Sequence, residues 1–169
     1  MSKKVVLAFS GGLDTSFCVP YLKEQGYEVH TVMVNTGGFS AEEEAAIEKR
    51  ALTLGAASHK NVNAVDTYYN NGIKYLIYGN ILKNATYPLS VSSERVFQAL
   101  EVLKHVNELG ADAVAHGSTG AGNDQVRFDI VFEVLAPQVE IIAPVRDNCF
   151  TRQFEIDFLQ KHGFDFSWE

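Results

Sequence analysis

The chain has 169 residues, 46% of them hydrophobic and 21% charged, which suits one globular domain with a core of its own. Its 14 basic against 21 acidic residues give a net charge of −7, which counts against broad binding to nucleic acid or a membrane surface. Cys18 and Cys149 lack metal-ligand spacing and read as reduced thiols; no apolar run reaches transmembrane length, and the first strand begins too early for a signal peptide, so a cytoplasmic setting is expected.

The chain then alternates apolar runs with helical patterns. A first strand is expected over Lys4–Ser10, then a Gly-rich turn, then a helix from about Phe17 to Gln25 closed by Gly26. Pro20 is tolerated only near a helix start, which allows that helix to begin as late as Ser16. A second strand follows at Glu28–Val34. Ser40-Ala41-Glu42-Glu43 reads as a capping box for a helix to Leu54, with Gly55 as its stop, and Glu42–Glu44 as a solvated first turn. A weaker strand is expected at Ser58–Val62. Asp66 is expected to cap a helix through Tyr75 to Ile81, with Tyr68, Tyr69, Tyr75 and Tyr78 in core or interface packing. Residues Lys83–Ser92 show no period and read as a loop. After Ser93 a helix places Val96, Leu100, Leu103 and Val106 on one face and ends at Gly110. Then come a strand at Asp112–His116, a second Gly-rich loop, a helix at Gln125–Leu135, a strand at Glu140–Ala143 and a helix at Thr151–His162. This order predicts an α/β domain: an open parallel sheet with helices on both faces.

Two loops carry the chemistry. In Val5-Val6-Leu7-Ala8-Phe9-Ser10-Gly11-Gly12-Leu13-Asp14-Thr15-Ser16, a buried strand breaks into two glycines and then hydroxyls at a helix start. Such a turn offers backbone N–H groups and a helix dipole to an anion. It lacks the Gly-Lys-Ser/Thr of common ATPases and the GxGxxG of dinucleotide sites. Asp14 is repelled by a polyphosphate, so it reads either as facing a Mg²⁺ ion or as a helix cap. The second loop, Gly117-Ser118-Thr119-Gly120-Ala121-Gly122-Asn123-Asp124-Gln125-Val126-Arg127-Phe128, also follows a strand and opens a helix. Asn123 or Asp124 could cap that helix; the density of polar groups, with Arg127 able to reach a carboxylate, favours a binding site. Ligands of open α/β sheets bind at the strands' carboxyl ends, so Gly12 and Asn123 are expected to share one rim. His116 reads as a packed strand-end histidine, His30, His59, His105 and His162 show no ligand spacing, and Phe164, Phe166 and Trp168 are expected to leave apolar surface exposed.

The first loop resembles the SGGxDS pyrophosphate loop of the ATP pyrophosphatases. Taken with the second loop, with Leu52-Thr53-Leu54-Gly55-Ala56 and with Leu135-Ala136-Pro137-Gln138…Ile142-Ala143-Pro144, nearly the whole chain is similar to the nucleotide-binding domain of the argininosuccinate synthase family. That resemblance implies a Rossmann-like adenine nucleotide alpha-hydrolase (PP-loop) fold. It implies ATP binding by Ala8, Phe9, Ser10, Gly11, Gly12, Leu13, Asp14, Thr15, Ser16, Val34 and Gly117. Citrulline falls to Tyr87, Ser92, Asn123 and Arg127, and aspartate to Thr119, Asn123 and Asp124. Asp14, Asn123, Asp124 and Arg127 are the candidates nearest the chemistry, with no general base assigned. The implied reaction is a carbon–nitrogen ligation in arginine biosynthesis through a citrullyl-adenylate, releasing AMP and pyrophosphate. ATP is the substrate, Mg²⁺ its expected companion with ligands unassigned, and the full-length protein is expected to be a homo-oligomer acting on small molecules. Residues 1–169 are then the ATP-binding domain without the family's C-terminal synthetase domain, expected to turn over little alone. Rivals are another pyrophosphate-loop enzyme (a tRNA thiolase or an amidotransferase synthetase domain) and a nucleotide-binding module without chemistry.

Two positions depart from the family's pattern. Ala121 stands where lysine is common. The acceptor loop, usually Tyr-x-Leu-Gly-Thr-Ser-Leu-Ala-Arg-Pro, reads Tyr87-Pro88-Leu89-Ser90-Val91-Ser92-Ser93-Glu94-Arg95-Val96. Val91 removes a hydroxyl, and a buried amine or carboxylate left unpaired is costly. The acceptor is therefore expected to be free citrulline with a drifted loop, or an Nα-acylated citrulline.

Overall fold

The computed structural model describes residues 2–167, so the expectation for Trp168 lies outside the described residues. Its first part comprises β1 (Lys4–Ala8), α1 (Leu13–Glu24), β2 (Glu28–Asn35), α2 (Ala41–Thr53) and β3 (Ser58–Asn63). Next come α3 (Val65–Tyr68), a π turn (Tyr69–Ile73), α4 (Lys74–Tyr78) and a small hairpin of β4 (Leu82–Lys83) with β5 (Tyr87–Pro88). The rest is α5 (Ser90–Leu109), β6 (Ala113–His116), α6 (Asp124–Leu135), β7 (Glu140–Ile142), α7 (Pro144–Asp147) and α8 (Arg152–Lys161). The main sheet runs β3-β2-β1-β6-β7, every neighbouring pair parallel. This is the open parallel α/β sheet that the alternation predicts.

Strand periodicity divides the core. Val5 and Leu7 of β1 join Val29, Met33, Ala113 and Ala115 under α1, α2 and α8. Val6 joins Val32, Val34 and Val114 under α5 and α6. Helices therefore cover both faces. On the first face Phe17 is fully buried, its ring centroid 5.0 Å from Phe158 and 5.3 Å from Phe150. From β1 the chain steps outward through β2 to β3, then returns over the opposite face to lay β6 on the other side of β1. The strand order thus reverses between β1 and β6. Beyond their carboxyl ends the flanking loops must part, which opens a crevice.

Several boundaries differ from the sequence reading. Helix α1 begins at Leu13, so Pro20 lies inside it and the backbone bond its N–H would make to the Ser16 carbonyl is absent. Gly12 is the N-cap residue, so Asp14 is a first-turn acid rather than a cap. The capping box is formed: the Ser40 hydroxyl accepts from the Glu43 N–H and Glu43 accepts from the Ser40 N–H. Asp66 does not cap its helix; Asn63 accepts the Val65 N–H instead, and the helix is broken into two short pieces by the π turn. The supposed loop at 83–92 contains the hairpin and the first turn of α5. Of the four tyrosines only Tyr68 is buried, its hydroxyl donating to the Ser90 carbonyl at 2.6 Å, while Tyr69, Tyr75 and Tyr78 are exposed. Phe164 and Phe166 pack against the core, with the Arg50 guanidinium 5.2 Å from the Phe166 ring, and are half-buried, so only part of the apolar surface expected of them is exposed.

Candidate functional site

The crevice at the β1/β6 switch point is a cleft of about 940 Å³. Both Gly-rich loops line it, and Gly12 and Asn123 face the same space, as the expectation of a shared rim requires. The loops also touch. A Cβ placed on Gly117 would sit 3.0 Å from the Thr15 backbone nitrogen and 3.0 Å from its methyl carbon. Only glycine fits this approach without moving the first loop. Gly11 has φ +76°, a left-handed conformation that favours glycine, and its Cβ position lies 3.0 Å from the Ile47 side chain. The Arg50 guanidinium donates to the Gly11 carbonyl, so α2 holds the turn from behind.

The expected nucleotide residues divide on inspection. Ala8, Phe9, Ser10, Gly12, Leu13, Asp14, Thr15, Val34 and Gly117 line the cleft. Gly11 and Ser16 do not: both are buried, Gly11 against α2 and Ser16 within α1. The Ser10 and Thr15 hydroxyls are 3.3 Å apart, and the Thr15 hydroxyl also donates to the Gly12 carbonyl at 3.3 Å. Asp14 faces Glu155 of α8, and the nearby carboxylate opposes ionisation of Glu155. Glu155 is 1% exposed, its Oε2 has no hydrogen-bond partner, and burial beside Asp14 raises its pKa from the ordinary range to about 8. The nearby Arg152 pulls it the other way.

On the amino-acid side, Tyr87, Thr119, Asn123, Asp124 and Arg127 line the cleft. Asp124 lies between two guanidiniums, accepting from Arg127 at 2.6 Å and from Arg95 at 3.0 Å. Ser92 stands behind the lining, 3.2 Å from Arg127, and orients it. Asn123 occupies the N-cap position of α6 with no capping bond from its side chain, which leaves its amide to other work. Arg95, Glu94 and Arg152 also line the cleft. Glu94 and Arg95 of α5 meet Arg152 of α8 only through the fold, so no spacing in the sequence announces them as one set. Among the described residues no group of three His, Cys, Asp or Glu side chains could hold a metal ion. Mg²⁺ commonly binds through one or two carboxylates and the substrate's own phosphates, so the donor set fits an ion that arrives with the nucleotide.

Comparison with known proteins gives the family. Residues 4–165 match the family model described as the arginosuccinate synthase N-terminal HUP domain. The chain belongs to the argininosuccinate synthase family. It is 47% identical over 167 residues to the argininosuccinate synthase of Xanthomonas campestris pv. campestris, covering 96% of this chain and 42% of that one. With the argininosuccinate synthase of Pyrobaculum aerophilum it shares 43% identity over 163 residues, 96% of this chain and 41% of the relative. The chain thus spans about two fifths of the length of these argininosuccinate synthases. A solved structure described as a predicted subunit of tRNA methyltransferase from Methanocaldococcus jannaschii superposes with a TM-score of 0.59 at 16% identity, covering 96% of this chain and 89% of that one, and shares the fold. Against the argininosuccinate synthase pattern, Ala121 is exposed and outside the cleft lining, as is Val91, which is 46% exposed.

Proposed function

We propose that this chain is the ATP-binding part of an argininosuccinate-forming ligase. The observation that carries the reading is the contact of Gly117 with Thr15, which fuses the two loops into one cleft. A triphosphate then lies along the first loop and the N-terminus of α1, where backbone donors and the helix dipole favour anionic charge. Citrulline lies toward Tyr87 and Arg127, and aspartate toward Thr119, Asn123 and Asp124. The citrulline ureido oxygen attacks the α-phosphorus and pyrophosphate leaves. The aspartate amine then attacks the adenylated ureido carbon and AMP leaves. Holding the reactants together and stabilising charge on phosphorus oxygens lowers both barriers without a protein nucleophile. Mg²⁺ bound with ATP supplies further neutralisation at the phosphates.

The acceptor is free citrulline on this reading, because Val91 lies outside the cleft lining and its missing hydroxyl takes nothing from the site. The protein works on small molecules in the cytoplasm, within a homo-oligomer of the longer chain. Among the described residues no helix is long and apolar enough to cross a membrane. The decisive assay follows AMP and pyrophosphate. Their formation is expected to require both citrulline and aspartate in the longer protein, and the 169-residue chain is expected to bind ATP with little turnover. Formation independent of either amino acid contradicts the ligase reading. Preference for Nα-acylated citrulline contradicts the acceptor assignment, and fast synthesis by residues 1–169 contradicts the need for a second domain.

A further inference from the structure

The second loop hangs from a buried histidine that the proposed chemistry does not use. His116 ends β6, is 1% exposed, and is sandwiched beside Phe128 with ring centroids 5.6 Å apart. The Ser118 N–H donates to its Nδ1 at 3.2 Å, and its Nε2 lies 3.0 Å from Asp129 Oδ1. The other Asp129 oxygen accepts from Arg146 of α7, whose Nε donates to Asp147 at 2.8 Å. These contacts fix the tautomer: Nδ1 must offer its lone pair to Ser118, so Nε2 carries the proton and donates it to Asp129. We propose that His116 is a positioning residue, a neutral imidazole whose Nδ1 anchors the Ser118 N–H and so sets the turn that presents Thr119 and Asn123 to the amino-acid substrate. This rests on the ligase reading for the substrate's identity, but the latch itself is a property of the loop.

A second proton on His116 would oppose Nδ1–H to the Ser118 N–H, and two donors cannot bond. The latch therefore opens on the acid side. The charged groups facing the ring are Asp129 from α6 and Arg146 and Asp147 from α7. Burial, aided by Arg146, holds the imidazole below the ordinary histidine range, against the pull of the two aspartates. At neutral pH the latch is closed.

Two substitutions separate latching from packing. In His116→Asn the side-chain oxygen can take the place of Nδ1 and keep the Ser118 bond. In His116→Gln the terminal amide can take the place of Nε2, keep Asp129 and lose Ser118. In the longer enzyme, His116→Gln is expected to raise the KM for aspartate about fivefold, the effect of one lost hydrogen bond, with kcat less changed. His116→Asn is expected to keep the KM near the parent value and to lose its rise at low pH. Equal damage by both variants, or none by Gln, overturns the proposal. A second readout needs no activity: in the parent 169-residue chain the Ser118 amide resonance is expected to move with the His116 titration and to lose exchange protection on the acid side. A Ser118 amide indifferent to that titration overturns the latch even where the ligase reading stands. Absence of aspartate-dependent turnover, with Ser118 tracking His116, sinks the ligase reading and leaves the latch intact.

Discussion

Replacing Glu155 by glutamine gives a stability change whose sign depends on pH. The parent carboxyl titrates at about 8 in the folded chain, whereas an unfolded glutamate titrates near the ordinary value of about 4.3. Between those values the native chain holds a proton that the unfolded chain releases. Its stabilising effect is complete below the unfolded value and is lost as pH rises toward the folded one, at up to about 1.4 kcal/mol per pH unit. From pH 5 to pH 7 the loss amounts to about 2 kcal/mol, or about 4–8 °C in Tm for a domain of this size. In Glu155→Gln the amide is uncharged at every pH and can donate toward Asp14 without titrating. The variant's Tm is therefore expected to overtake the parent's as pH rises, with the gap levelling off above about pH 8. Thermal melts of both chains from pH 5 to 9, read by circular dichroism, measure this. Parallel Tm–pH curves would refute a protonated Glu155 beside Asp14.

Other substitutions test the cleft and its supports. Gly117→Ala places a methyl 3.0 Å from the Thr15 backbone nitrogen, so the first loop must shift; a loss of about 1–3 kcal/mol in stability and weakened ATP binding by calorimetry are expected. Arg127→Lys loses the planar fork that spans Asp124 and Ser92; on the proposed ligase reading, the KM for citrulline, measured in a protein that also carries the second domain, is expected to rise about tenfold, the lower end for a lost charged hydrogen bond. Ser40→Ala removes the capping box of α2, and a loss of about 1 kcal/mol in denaturant unfolding is expected, with ATP affinity unchanged.

Much of this was legible in the sequence because it is local. The run Val5–Leu7 is buried on both faces, which an apolar triplet followed by two glycines announces, and the Ser40–Glu43 capping box is a four-residue pattern. Both cleft loops could be placed because a strand, a Gly-rich turn and a helix start recur in each. The features that the sequence leaves illegible are non-local. Pro20 argues against a long α1, yet the burial of Leu13, Phe17 and Val19 outweighs one missing backbone bond. The hairpin at 82–88 carries no alternation because its strands are two residues each. Asp14 reads from sequence as a cap or a metal neighbour because Glu155, the carboxyl it faces, is supplied by a helix from the far end of the chain. The guanidinium pair on Asp124 is illegible for the same reason: Arg95 and Arg127 converge on it through the packing of α5 on α6.

The central claim is that one cleft, made by two abutting loops, takes both nucleotide and amino acid. Amide resonances of the isotope-labelled chain, followed during titration with MgATP and then with aspartate, test it most directly. ATP is expected to shift Gly12, Thr15 and Gly117 together, and aspartate then to shift Thr119 and Asn123. Movement of the first loop by ATP with Gly117 unmoved, or no response of the second loop to aspartate, would contradict the shared site.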